Sequence, residues 1–196
     1  RSTLFPYTTL FRSGRRGKLL LDDYLVDVLS WVHIRDARLY DVRIRHMLSH
    51  TSGLADVTDY HWDRPRTGPT ALREWCASPE VSETVMVWHP DENRFRYSNM
   101  AYELLGCIVE ECTGMPFETY IRQRFFRPLS MVHSTFLTME QDWSRMAMPH
   151  EKNRQHQIVP VAHYPYNREH APSSTLTSCG SDLAAWARRP DRKSVV

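Results

Sequence analysis

Few side chains in this 196-residue chain have both the type and the spacing for chemistry. Lysine stands at 18, 152 and 193, preceded three positions earlier by Arg15, Pro149 and Pro190. No Ser-x-x-Lys pair, in which an amine one helical turn away takes the proton of a serine hydroxyl, is therefore present. Ser49 and Ser52 flank His50 without a G-x-S-x-G elbow, which excludes an α/β-hydrolase nucleophile. His46 and His50 have a helical spacing that can hold zinc, but no Glu follows His46 and His50 falls at a turn. Packing or capping is the expected role for both, and no metal or other cofactor is expected. His150, His156, His163 and His170 lie in a polar stretch without ligand spacing and read as solvated. Taken alone, Tyr97-Ser98-Asn99 reads as a buried phenol followed by a helix N-cap Asn. Tyr60, Trp62, Trp75, Trp88, Tyr164 and Tyr166 could line a substrate cleft or simply pack. Tyr164 and Tyr166 are the strongest cleft candidates, because their segment follows no periodic pattern.

The elements that must position these residues are mostly helical. Asn99 to Cys112 carries Met100, Leu104, Leu105, Ile108 and Val109 at three- and four-residue steps, closed by Gly114 and Pro116, so one face must be buried. Phe117 to Phe126 forms a second amphipathic helix, ended by Pro128. Asp41 is positioned to cap a helix over Val42 to His50, with Thr51-Ser52-Gly53 stopping it. An Asp-capped helix is expected through Leu25, Val28 and Leu29, after a strand or turn at Gly17 to Asp23. Ala55 to Pro69 reads as a surface loop, and Thr70 to Ser78 as a short helix closed by Pro79. Met139 to Tyr166 reads as loop with one short strand around Ile158 to Ala162. Ser181 is expected to cap a last helix, with Asp182 in its first turn and Leu183 and Trp186 facing inward.

Composition narrows the class. With 25 Lys+Arg against 23 Asp+Glu, 41% hydrophobic residues and no long apolar run, the chain has a soluble globular profile and about one domain's length. Near-zero net charge offers no case for nucleic acid or an anionic membrane as partner. Cys76, Cys107, Cys112 and Cys179 lack C-x-x-C spacing and read as reduced small hydrophobes.

Four blocks in order carry a family resemblance: Gly17-Lys18-Leu19-Leu20-Leu21-Asp22-Asp23, Ile44 to Leu54 with its His50-Thr51-Ser52-Gly53, Phe95 to Gly106 with Tyr97-Ser98-Asn99, and Ala171 to Leu176 leading into Ser181-Asp182-Leu183. Together with Pro128-Leu129-Ser130-Met131 they resemble the serine β-lactamase-related family of class C β-lactamases, DD-peptidases and esterases. The resemblance implies an α/β (α+β) fold of the β-lactamase/transpeptidase type, of which this chain supplies mainly the helical lobe, with most of the antiparallel sheet missing. It implies acyl transfer to a serine, with a small-molecule or peptide substrate. Tyr97 matches the family's general acid/base tyrosine and Asn99 its substrate-binding amide. An unperturbed phenol has a pKa of about 10 and needs cationic neighbours to act as a base near neutrality. The runner-up is a non-catalytic penicillin-binding or regulatory relative that keeps the fold and binds peptide-like ligands. Two departures stand out: Pro90 to Phe95 adds a residue before Tyr97, and Ser130 replaces a common Gly.

Both ends resemble translated sequencing adapter. Arg1 to Ser13 (RSTLFPYTTLFRS) can be encoded without mismatch by a DNA sequence that resembles a widely used short-read adapter, and Asp191 to Val196 (DRKSVV) by its reverse complement. The expected organisation is adapter-derived 1–13, a partial domain over 14–190, and adapter-derived 191–196. Setting the ends aside turns the net charge slightly acidic. Lys193-Ser194-Val195 then imitates the family's late Lys-Ser/Thr-Gly strand without belonging to it. The nucleophile is expected upstream of Gly14, and the chain by itself is expected to be inactive and of marginal stability.

Overall fold

The structure, a computed structural model, describes residues 19–188. Both adapter-like ends, Gly17-Lys18 and Lys193 to Val195 lie outside the described residues. In chain order the helices are α1 (Leu25–Val28), α2 (Ile44–Leu48), α3 (Ala71–Cys76), α4 (Pro79–Ser82), α5 (Asn99–Thr113), α6 (Phe117–Ile121), α7 (Ala171–Ser174) and α8 (Gly180–Ala187), with short 3-10 turns between them. A two-stranded antiparallel hairpin, β1 (His150–Lys152) and β2 (Ile158–Pro160), pairs Glu151 with Val159. Among the described residues no helix is long and apolar enough to cross a membrane.

Helix α5 is the axis of the molecule. Met100, Leu104, Leu105, Cys107, Ile108 and Val109 are buried, so its apolar stripe broadens into a nearly all-round buried helix. Gly114 ends it in the left-handed conformation at φ +68°. α2, α3, α6 and α7 pack around it. The closest approach is at Gly106, where an added Cβ would lie 2.2 Å from Pro172 Cγ and 3.1 Å from Leu72 Cδ2. Gly106→Ala must therefore push α7 away, and it should cost about 1–3 kcal/mol. Urea unfolding measures this; an unchanged midpoint would contradict the packing.

Several sequence expectations are corrected. Asp41 does not cap α2: it lies at the end of the 3-10 turn Ala37–Asp41, which Asp36 caps through Arg38 N, and its carboxylate faces His89 Nε2 at 3.1 Å. The N-cap of α1 is Tyr24 rather than an Asp. α6 continues as a π-helical turn over Arg122–Phe126, where Arg127 N–H reaches Arg122 O at 2.9 Å. The hairpin adds a strand at 150–152 that the sequence pattern does not show. Cys179, not Ser181, precedes α8; Asp182 is the buried residue of that helix, accepting from His133 N and Ser134 Oγ, each at 2.8 Å, while Leu183 is half exposed. Cys76, Cys107 and Cys179 carry free thiols.

Candidate active site

The site is built on the turn into α5. Ser98 is extended (φ −149°, ψ 112°) and fully buried, and its hydroxyl caps the helix by accepting from Ala101 N at 3.1 Å while donating to Ala55 O at 2.7 Å. The cap is thus Ser98 and not Asn99. In extended backbone alternate side chains share a side. Burying Ser98 therefore sends Tyr97 and Asn99 the other way, and both line one cavity of about 470 Å3.

His50 supports this turn from behind. It takes the left-handed conformation (φ 57°) just after α2. Its carbonyl accepts from Arg96 N at 2.8 Å, and its Nδ1 accepts from Ser98 N at 3.2 Å. The ring hydrogen must then sit on Nε2. Burial pulls its pKa down, which keeps the ring neutral and the Nδ1 lone pair available. Its ring lies 4.6 Å from that of Tyr97 and stacks on Tyr102 at 4.9 Å. Sequence reasoning assigned His50 to packing or capping. Its further task, fixing the backbone between Tyr97 and Asn99, was signalled only by the His50-Thr51-Ser52-Gly53 block. Gly53 closes that block at φ +77°, where a Cβ would collide with Trp88 O at 2.1 Å.

Tyr97 is 52% exposed at the cavity mouth. Asn99 is held twice: its N–H donates to Asp56 Oδ1 at 2.7 Å, and its Nδ2 donates to the Tyr60 hydroxyl. One turn further along α5 the buried Glu103 accepts from Ser173 Oγ, another cavity residue, which ties α7 to the helix. Burial raises the pKa of Glu103 well above the usual carboxylate range. The remaining wall is apolar, from Phe117, Phe125, Phe136, Leu176 and Trp186 among others.

Tyr164 and Tyr166 are not brought to this site. Tyr164 packs edge-on against Trp143, ring centres 4.9 Å apart, and Tyr166 is buried. Neither lines the cavity, nor a second hollow of about 700 Å3 around Arg122, Arg127 and Arg145. An irregular segment need not face a cleft; Asn167 and Arg168 anchor this one instead. Asn167 Nδ2 donates to Tyr60 O at 3.0 Å, and Arg168 Nε donates to Glu118 Oε1 at 2.7 Å. Lys152 is exposed on β1 and does not line the cavity. His170 corrects the expectation of a solvated histidine: it is fully buried, with the Tyr60 and Trp75 rings edge-on at 4.9 and 4.8 Å.

Partly buried Glu110 and buried His170 titrate in opposition. Burial pushes Glu110 up to about 7, although it accepts from Phe117 N at 2.9 Å. Burial pulls His170 down to about 4. Between about pH 4.5 and 7 the folded state holds the Glu110 proton that the unfolded chain has lost, so this group lowers stability as pH rises. Between about pH 4 and 6.5 the unfolded chain holds the His170 proton, so this group raises stability as pH rises. Removing Glu110 should leave the second trend uncovered. Glu110→Gln is expected to gain on the order of 3 kcal/mol relative to the parent chain between pH 4.5 and 7. Urea unfolding at both ends of that window reads it, and parallel curves would contradict the burial.

Comparison with known proteins decides the family. The Beta-lactamase family profile matches residues 8–196. The chain belongs to the Beta-lactamase family. Penicillin-binding protein 4 of Amycolatopsis lactamdurans is 34% identical over 148 residues, covering 75% of this chain and 37% of that protein. The structure of the octameric penicillin-binding protein homologue from Pyrococcus abyssi superposes with a TM-score of 0.66 at 27% identity, over 86% of this chain and 38% of that one. A D-stereospecific amidohydrolase from Streptomyces sp. gives 0.67 at 20% identity, over 86% and 52%. The chain thus spans well under half the length of the curated relative. Its helices and small sheet are part of the β-lactamase/transpeptidase fold, as the four sequence blocks imply.

Proposed function

We propose that the whole protein of which residues 14–190 are a part is a serine hydrolase that forms an acyl-enzyme on an amide or ester. Tyr97 is its general acid/base, and Asn99 holds the substrate's carbonyl or amide. The single observation that carries this reading is the shared outlook of Tyr97 and Asn99. Both line one cavity, and the residue between them is fixed by His50, Ala55 and Ala101.

A serine hydroxyl attacks a carbonyl only when its proton is taken away as the bond forms. In this reading Tyr97 exchanges that proton with the nucleophile and later with the leaving group, and Asn99 offers an amide to pair with a peptide-like backbone. The nucleophile and its lysine are not in this sequence. The apolar cavity beside Tyr97 suits the element that carries them, since Phe125, Leu176 and the half-exposed Leu183 line it. The chain of 196 residues alone is accordingly inactive in this reading.

Recovery of the uninterrupted reading frame tests the proposal. A Ser-x-x-Lys ahead of Gly14, together with turnover of a β-lactam, a D-aminoacyl amide or an activated ester, supports the enzyme. Its absence, with ligand binding but no turnover, would favour the non-catalytic penicillin-binding relative.

A further inference from the structure

A second cluster, away from the Tyr97 cavity, joins the loop before α3 to the segment leading into α7. His61, Glu169 and His170 each offer a donor atom within 4.8 Å of the others. Glu169 and His170 are buried, and both ring nitrogens of His170 lack a hydrogen-bond partner. An imidazole enclosed in apolar rings with neither nitrogen satisfied is costly unless it serves as a ligand. We propose that His61, Glu169 and His170 bind one Zn2+ ion.

The groups around the three donors orient them for a metal. His61 Nδ1 lies 3.4 Å from Glu169 Oε2, while its Nε2 lies 3.4 Å from Asp59 Oδ2 and 3.5 Å from Glu80 Oε1. His61 Nδ1 hydrogen-bonds Glu169 Oε2; an ion between them would displace that hydrogen, and the carboxylates beside Nε2 would then hold it on the far nitrogen. His170 Nδ1 lies 3.3 Å from Glu103 Oε1 without a hydrogen bond between them, so the ring nitrogens of His170 are open to an ion. Glu169 is held from both sides: Arg66 Nε lies 3.0 Å from Oε1, and Asn167 Nδ2 donates to Oε2 at 2.8 Å. Oε2 is the oxygen that faces His61, and it is the one an ion between the two residues would take. Arg66 and, on Asp59, Arg64 are the cations nearby. Asp59, Glu80 and Glu169 outnumber them, so the surroundings favour a divalent cation. Two imidazoles and one carboxylate are a borderline-soft set that suits tetrahedral Zn2+ with one open position. Zinc ligands about 2 Å from the ion stand closer together than 4.8 Å, so binding draws the donors slightly inward.

The position gives the ion a structural consequence. Residue 60, next to His61, holds Asn99 Nδ2 through its hydroxyl, and His170 is three residues from Ser173. Zinc here would pin both walls of the Tyr97 cavity.

The chain, stripped by a chelator, is dialysed against micromolar Zn2+ and its metal content measured, with Co2+ as a spectroscopic substitute. The expected result is about one equivalent of Zn2+ and the visible absorption of tetrahedral Co2+. Both should be lost in His61→Ala and Glu169→Gln and retained in His156→Ala, a histidine exposed on the hairpin turn. No stoichiometric binding by the parent chain would overturn the proposal. Binding that survives His61→Ala and Glu169→Gln, or that is lost in His156→Ala, would overturn it equally.

Discussion

Tyr97→Phe in the full-length protein is expected to lower kcat on an ester or amide by about 100-fold or more, with little change in KM. The ring keeps its contact with His50, 4.6 Å away, so the fold and the cavity wall persist. What disappears is one hydroxyl able to hand a proton between nucleophile and leaving group, and positioned proton transfer contributes roughly 10²–10⁴-fold to such steps. A loss confined to kcat marks an interaction made in the transition state rather than in substrate binding. Unchanged hydrolysis would reduce Tyr97 to a packing residue and this domain to a helical interaction module.

Arg168→Met should be the most damaging single change to stability, at about 3–5 kcal/mol. Arg168 grips the carboxylate of Glu118 with two nitrogens, Nε to Oε1 at 2.7 Å and Nη2 to Oε2 at 3.3 Å, and also donates to Thr67 O at 3.0 Å. Glu118 is buried on α6 and the Arg168 side chain is nearly so. Removing only the guanidinium strands a buried carboxylate, which costs far more than the pair itself contributes. The double change Arg168→Met with Glu118→Leu should recover much of the loss, because two apolar groups need no partner. Chemical denaturation of the four proteins in that cycle checks both statements. A small loss for the single variant would mean the pair is solvated.

The long helix was legible because its core is local: apolar residues three and four apart and a Gly after them mark out Asn99 to Cys112, one residue short of α5, while its Ser98 cap was not read. The first strand of the hairpin was not, since His150, Glu151 and Lys152 are all exposed and show no alternation. Asp182 illustrates a different limit. Its burial depends on His133 and Ser134, some fifty residues away, and no pattern around position 182 reports them. At the site, Tyr97 and Asn99 were visible through the resemblance of their block, and the buried Ser98 explains how the spacing works. His50 was visible only as a histidine at a turn, because its partner at Ser98 N lies 48 residues on. His170 was misread for the same reason: Tyr60 and Trp75, which enclose it, come from distant segments.

Peptide mapping by mass spectrometry of the full-length protein, quenched during turnover of a slowly deacylating β-lactam or ester, puts the central proposition to the most direct trial. An acyl group on a serine three residues before a lysine, encoded upstream of Gly14, and formed markedly more slowly in Tyr97→Phe, is the predicted result. An adduct on a residue between 14 and 190, or hydrolysis with no adduct at all, would contradict it.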